Sequence, residues 1–391
     1  MSAILFSGSI HQEMRLYVEQ SPANHMRLSR QLRLKGAAIK TLRDSLAGGV
    51  AFDQIDETIY AILCLAVNQN ASLTDRRTPD GSNFDAPFLG VQWLTLYGTM
   101  DFDPTHFAAI RALVQRKGGI ANLEAYSLGW LIFFAALMGA ASRLSPPEFS
   151  PVTVHGEPYQ YQNPLRLLRV FEMPYHFRLP RGGFHLFERT SIRPDIIQTF
   201  LDISEMSQAI QIYLADNRQS RALTDILDSR NDLMYRLLCL PDTLRGPLSL
   251  EENPAFAAQN QGMYHMLYLC ARLAAQLYSL HVIFPIPTTA SIRQTLIPDL
   301  LEKVAWFDNL RTVEGSQQLL LWVCVVTAVA VDDDDLDTRG WFVSRCRQLI
   351  SGLGITTYDD LKDLLHLFGW IDSACDRGGF NIWNMTNIFT H

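Results

Sequence analysis

Apolar positions recur along most of the chain at the three-and-four spacing of amphipathic helices. The first stripe is Leu28, Leu32, Ile39, Leu42 and Leu46, and Gly48-Gly49 ends it, as glycine does just past a helix C-terminus. The next helix opens at Asp53, a side chain able to cap free backbone N–H groups. Its stripe is Ile55, Ile59, Ile62, Leu63, Ala66 and Val67. The spacing predicts that these two helices form an antiparallel hairpin. Residues 72–87 are polar and hold the turn signal Pro79-Asp80-Gly81, which predicts a surface loop. Asp103-Pro104 starts a further helix, with proline at its first position and Phe107, Ile110, Leu113 and Val114 on one face; Gly118-Gly119 closes it. An apolar helix over 123–141 follows and stops before Pro146-Pro147.

Residues 146–193 break the pattern. They are rich in Pro, Gly and aromatic residues and have no helical period, and so long an irregular stretch is uncommon inside a domain. An ordered connection is expected, because Phe171, Tyr175, Phe177, Phe184 and Phe187 are costly to leave in water. A small hairpin around Gly182-Gly183 is the strongest strand signal. Helices resume over 194–215, 218–240, 254–280, 292–310, 319–331, 338–350 and 358–368, the last with Thr357 and Asp360 placed as a capping pair. The 254–280 stripe is the cleanest, running through Met263, Met266, Leu267, Cys270, Leu273, Ala274, Leu277 and Leu280. No repeat of solenoid length is visible. The predicted fold class is all-α: a large array of antiparallel helical hairpins with an irregular aromatic and Pro-rich central segment. It divides into an N-terminal segment (1–24), an N-terminal helical half (25–145), the connecting segment (146–193) and a C-terminal helical half (194–391).

Composition narrows the class. Of 391 residues, 48% are apolar and 19% charged, a mix that excludes a disordered chain. The net charge is −7, whereas a chain that grips DNA alone carries a basic stripe. The densest basic run, 27–43, holds six Lys/Arg inside a helical pattern and is expected to be a solvated face. Six cysteines, Cys64, Cys239, Cys270, Cys324, Cys346 and Cys375, include no C-x-x-C pair and sit mostly in apolar runs, as small buried hydrophobes do. The apolar runs 128–141 and 319–331 fall short of the about 18 residues that cross a bilayer, so no membrane partner is expected.

Motifs of chemistry are nearly absent. The acidic run 332–335 with Asp337 is the sharpest. Asp333, Asp334 and Asp337 match the D-D-x-x-D spacing by which helical terpenoid synthases hold Mg²⁺ on a diphosphate. The companion downstream metal motif is missing, so the run is expected to be a solvated loop whose last aspartates cap a helix beginning near Arg339. Ten histidines show no metal-ligand spacing, and His265 and His281 are expected in or beside an apolar helix. Gly352-Leu353-Gly354 reads as a turn, and neither a nucleophile elbow nor a P-loop occurs. No catalytic residue, metal ligand or cofactor is therefore expected. A small apolar ligand could be enclosed by Met263, Tyr264, Met266, Tyr268, Trp306, Phe307 and Trp322, against the plainer expectation that these residues are core.

Several segments together resemble one family. These are 28–46 with Leu34-Lys35-Gly36-Ala37-Ala38-Ile39; Asp56-Glu57-Thr58-Ile59; Arg116-Lys117-Gly118-Gly119-Ile120-Ala121-Asn122-Leu123; Leu320-Leu321-Trp322-Val323; Trp341-Phe342-Val343-Ser344-Arg345; and Phe368-Gly369-Trp370-Ile371-Asp372 running into Cys375-Asp376. In order and spacing they resemble the regulatory domain of fungal zinc-cluster transcription factors. The resemblance implies a nuclear, non-enzymatic regulator of transcription, often of metabolic or secondary-metabolite genes, acting through protein partners (a coregulator or a dimer partner) or a small ligand. The family's usual architecture places a six-cysteine binuclear zinc cluster ahead of this domain. Here the first cysteine is Cys64, inside the second predicted helix, so the chain is expected to lack a zinc cluster and not to bind DNA directly. The competing reading is an isoprenoid-type Mg²⁺-dependent enzyme, which requires Asp333, Asp334 and Asp337 at the mouth of a deep apolar cavity.

Overall fold

The computed structural model describes residues 2–18, 25–66, 82–98, 104–168, 182–215, 222–244, 254–287, 289–307 and 315–387. Val67, Pro79-Asp80-Gly81, Asp103, Phe171, Tyr175 and Phe177 lie outside them. Among the described residues the chain forms fifteen α-helices and no β-strand; one isolated bridge joins Val152 and Pro158. The N-terminal helices are α1 (Ser2–Val18), α2 (His25–Ala47), α3 (Ile55–Ala66), α4 (Leu94–Tyr97), α5 (Pro104–Lys117) and α6 (Leu128–Arg143). Then come α7 (Pro164–Leu167), α8 (Pro194–Ala215), α9 (Ala222–Leu238), α10 (Pro254–Tyr278) and α11 (Ala290–Ala305). The C-terminal set is α12 (Ser316–Ala330), α13 (Leu336–Leu353), α14 (Tyr358–His366) and α15 (Asp372–Asn387).

A helix apolar on every side must be surrounded. α12, with the sequence SQQLLLWVCVVTAVA, is that helix: its side chains from Leu319 to Ala330 are all buried, and α10, α11, α13, α14 and α15 pack around it. α10 is the second buried helix. The stretch Asn260–Ile283 is long and apolar enough to cross a membrane, but it is packed inside the domain, as a core helix is. A second apolar cluster joins α3, α5 and one face of α6, whose other face (Phe133, Phe134, Leu137) belongs to the main core, so α6 ties the two together. Phe6 and Ile10 of α1 seal a third, smaller cluster against Ala38 of α2 and Leu65 of α3.

Local signals set several helix ends as expected. α5 begins at Pro104 and stops at Gly118-Gly119, whose φ values of 91° and 122° favour glycine. Thr357 and Asp360 form a reciprocal capping box on α14.

Other expectations need correction. A first helix, α1, lies within the N-terminal segment, and a last helix, α15, follows the predicted set. α15 was hidden by Gly378-Gly379, which reads as a stop; the missing side chains instead let the helix approach its neighbours. A Cβ on Gly378 would lie 2.5 Å from Val329, and one on Gly379 would lie 2.6 Å from Trp370. Asp53 does not cap α3, because it lies within the 3-10 turn Phe52–Gln54 that leads into it. Residues 182–189 form no hairpin. They wind into a 3-10 helix, Gly183–Arg189, that drives Phe184 and Phe187 into the core beside Phe200.

The largest correction concerns α2. Leu32, Ile39 and Leu46 of its predicted core stripe are exposed at 53%, 48% and 46%, and the buried positions are Gln31 and Ala38, one step around the helix. α1, absent from the predicted set, is the reason. It packs along α2 where small Ala38 permits close approach, and Gln31 donates to the Ser9 carbonyl at 3.2 Å.

Candidate functional site: an aromatic cavity backed by a buried arginine

The acidic run is a solvent-facing loop. Asp333 is 80% exposed and accepts from Arg339 at 2.8 Å and from Asn83 at 3.2 Å. Asp332 pairs with Arg293 at 2.6 Å, and Asp335 caps α13 by accepting from the Thr338 N–H at 3.1 Å. The hydrogen bond from Arg339 holds the Asp333 carboxyl below its ordinary range, so it is already neutralised by protein cations. No cluster of three or more metal-ligating side chains occurs among the described residues. The enzyme reading needed these aspartates converging on a cavity, and the structure turns them away from one.

The aromatics and methionines proposed to enclose a ligand are core instead. Met263, Tyr264, Tyr268, Phe307 and Trp322 are buried, Met266 is half-buried, and Trp306 is 39% exposed at the edge. His265 is half-buried. His281 is wholly enclosed in the π-helical turn Ser279–Ile283 that finishes α10. Its Nδ1 shares a hydrogen bond with Ser82 Oγ at 3.2 Å, and its ring lies 5.3 Å from that of Phe84. Burial, with Arg293 adding to it, pulls its pKa from 6.5 down to about 3. The unfolded chain therefore binds a proton that the folded chain refuses. The stability His281 confers is complete above pH 6.5 and drains as pH falls towards 3. By pH 5 the loss is about 2 kcal/mol, and His281→Gln should flatten that slope in urea titrations repeated between pH 7 and 5.

Four of the segments that carried the family resemblance meet in two pairs. Asp56 of α3 and Lys117 at the end of α5 form a buried ion pair at 3.2 Å. Asp56 Oδ2 also accepts from the backbone N–H groups of Glu124 (2.6 Å) and Ala125 (2.8 Å). The Lys-Gly-Gly segment and the Asp56 segment are thus two sides of one joint: the glycines reverse the chain so that the residues after them reach the carboxylate. At the other end, Trp322 donates from Nε1 to the Gly369 carbonyl at 2.9 Å and stacks on Phe368. Trp370 donates to Asp376 at 2.9 Å, and Asp372 pairs with His366 at 2.7 Å. In this structure these motifs join neighbouring helices and turns.

The site the sequence did not announce lies between α1, α3, α6 and the 3-10 turn Val91–Trp93. A cavity of about 340 Å³ is walled by Leu63, Trp130, Phe134 and Met138, with Gln92 and Trp93 forming one side. Trp130 and Phe134 stack nearly parallel, 5.1 Å apart. Gln92 (φ 52°) and Trp93 (φ 57°) are consecutive non-glycine residues in the left-handed region, a conformation that costs about 1–3 kcal/mol per residue and must be held by its surroundings. The holding group is Arg230 of α9, which is fully buried. Its Nη2 donates to Gln92 Oε1 at 2.5 Å and to Asn231 Oδ1 at 3.1 Å, and its guanidinium lies over the Phe284 ring at 5.0 Å. Asn231 Nδ2 also donates to Gln92 Oε1, at 3.3 Å. Arg230 forms no ion pair among the described residues, and its Nη1 finds no acceptor there. Burial draws the guanidinium down to about 9, which leaves it charged at neutral pH. The sequence held one signal: Arg230 falls four residues after Ile226 and three before Leu233, within the apolar stripe of α9, where a cation is out of place.

The described residues define an all-helical domain. Among its buried charges, Arg230 stands behind the cavity through its hydrogen bond to Gln92. Residues 1–367 match the family model of the fungal specific transcription factor domain, and the chain belongs to that family. No curated protein and no solved structure matches it.

Proposed function

We propose that the chain is the regulatory domain of a nuclear transcriptional regulator, serving metabolic or secondary-metabolite genes, and that it acts by docking a protein partner on α2. The observation behind this reading is the apolar row Leu32, Ile39 and Leu46, spaced every seven residues and about half exposed. Such a row presents one ridge to a facing helix. Exposed Arg30, Arg33, Lys40 and Arg43 flank it. On a chain of net charge −7 this local basic face favours an acidic amphipathic helix over a second copy of itself. An apolar row between the cations suits a peptide better than phosphates. In this reading the chain supplies regulation, and contact with DNA is made by another module or partner.

The test is the full chain tethered to a foreign DNA-binding domain upstream of a reporter. The triple variant L32Q/I39Q/L46Q alters exposed positions, so its thermal midpoint should stay near that of the parent. Reporter output should fall at least about tenfold, because a central apolar anchor carries much of the energy of such a contact. Unchanged output in a folded variant would sink the docking reading.

A further inference from the structure

The cavity beside Gln92 has a polarity that selects its occupant, independently of the α2 face. Gln92 Oε1 is consumed by two donors, Arg230 Nη2 and Asn231 Nδ2, and this fixes the amide orientation: the oxygen must face the guanidinium. What Gln92 retains is its NH₂, a donor. The Trp130 indole is engaged by Asp228, so the ring is held as a flat apolar wall continued by Phe134. No carboxylate and no cationic side chain lines the cavity among the described residues; Met138 and Leu63 extend the apolar wall, and Ser7, Tyr60, Cys64 and Tyr97 also line it. Behind the Gln92 amide sits Arg230, a buried positive charge that Asp228 offsets in part, with one nitrogen lacking an acceptor among the described residues. In a low-dielectric setting such a charge attracts a negative group strongly. Two adjacent strained residues present this arrangement, and strain of that kind persists where the surroundings enforce it.

We propose that this cavity is a ligand site for a flat, apolar molecule bearing an acceptor oxygen, with an aromatic carboxylate preferred. The ring lies against Trp130 and Phe134, the oxygen accepts from the Gln92 amide, and the anion offsets the Arg230 charge. About 340 Å³ accommodates a two- or three-ring compound.

Three probes of one shape separate the contributions: 2-naphthoate, 2-acetonaphthone and 2-naphthylmethylammonium, titrated calorimetrically into the full chain at pH 7.5. Naphthoate should bind most tightly. Acetonaphthone, with an acceptor and no charge, should be weaker. The ammonium probe should be weaker than naphthoate by at least about tenfold, the scale of a charge-assisted hydrogen bond. Gln92→Leu should weaken both acceptor-bearing probes, while naphthoate keeps its lead over the ammonium probe through the Arg230 charge. Because Gln92→Leu also removes an acceptor from Arg230 and can unfold the chain, Trp93→Ala at the exposed lip provides a second arm. It should lower the affinity of all three probes while leaving the thermal midpoint close to that of the parent. Equal affinities for naphthoate and the ammonium probe, absence of saturable binding, or affinities unmoved by Trp93→Ala would each overturn the proposal.

Discussion

Trp322→Ala is expected to destabilise the domain by about 3–5 kcal/mol, the range for deleting a large aromatic side chain from a core. Trp322 is completely buried on the central helix α12, and four other rings touch its position or each other there. Phe184 and Tyr278 meet it edge-on at 5.6 and 6.1 Å, Phe368 lies stacked at 5.9 Å, and Phe200 backs Phe184. The void left by alanine would be walled by side chains from α10 (Pro254–Tyr278), the 3-10 helix Gly183–Arg189 and the turn at Phe368. These elements are anchored elsewhere and cannot all collapse into it. A second contribution is polar: the Trp322 indole is the donor to the Gly369 carbonyl. Gly369 adopts φ 130°, and a Cβ added there would lie 3.1 Å from Ser207 Oγ, so the turn has little room to find a substitute donor. Trp322→Phe separates the two contributions. It keeps most of the ring contacts, leaves the carbonyl unpaired, and should cost about 1–3 kcal/mol. Chemical denaturation monitored by circular dichroism measures both; a loss below about 1 kcal/mol for the alanine variant would show that this aromatic cluster does not organise the core.

Arg236→Met should cost a comparable amount at neutral pH, about 3–5 kcal/mol, for an electrostatic reason. Arg236 of α9 bridges two buried carboxylates: Nη1 donates to Asp202 of α8 at 2.7 Å and Nε donates to Asp232 at 2.8 Å. Its guanidinium also covers the Tyr161 ring at 4.3 Å. Burial pushes both carboxyls above their ordinary range even with the arginine present, Arg236 pulling each part of the way back. Without it two like charges remain in a place that hydrates poorly. The sign of the pH dependence follows. A carboxyl whose folded pKa is raised is favoured in the folded state when protonated, so its stabilising contribution is present at low pH and is lost as pH rises. The variant should therefore lose the most relative to the parent at pH 7 and recover part of the difference towards pH 4. The neutral triple variant D202N/D232N/R236M should regain more stability at pH 7 than the single change leaves. Urea titrations at the two pH values decide the matter: a deficit that does not shrink on acidification would mean that Arg236 contributes by packing and not by charge.

The helical stretches were legible because each carries its own period and punctuation. Proline at 104, the Gly118-Gly119 pair and the Thr357–Asp360 box act over one turn of chain, so neighbouring residues suffice to reveal them. α12 announced its central position through an apolar sequence that no surface could tolerate. The two helices at the chain ends were less legible. α1 has its apolar residues interrupted by Ser7-Gly8-Ser9, and α15 contains two glycines that look like a stop until Val329 and Trp370 are seen pressed against them. The aspartate run was understood correctly as a capping loop, because a carboxylate at a helix start has a local electrostatic reason to be there.

What the sequence determined alone is therefore the class of fold and the nature of most of its elements: helices, buried by their own apolar stripes. What only the tertiary structure decided is which stripes are covered and which polar groups meet. Leu32, Ile39 and Leu46 read as core and emerge half-exposed, because α1 occupies the adjoining face of α2. Gln92 and Arg230 stand 138 positions apart in the chain and form one pair in space. Periodicity reports the apolar face of one helix at a time, whereas a cavity and the charge behind it are properties of several helices placed together.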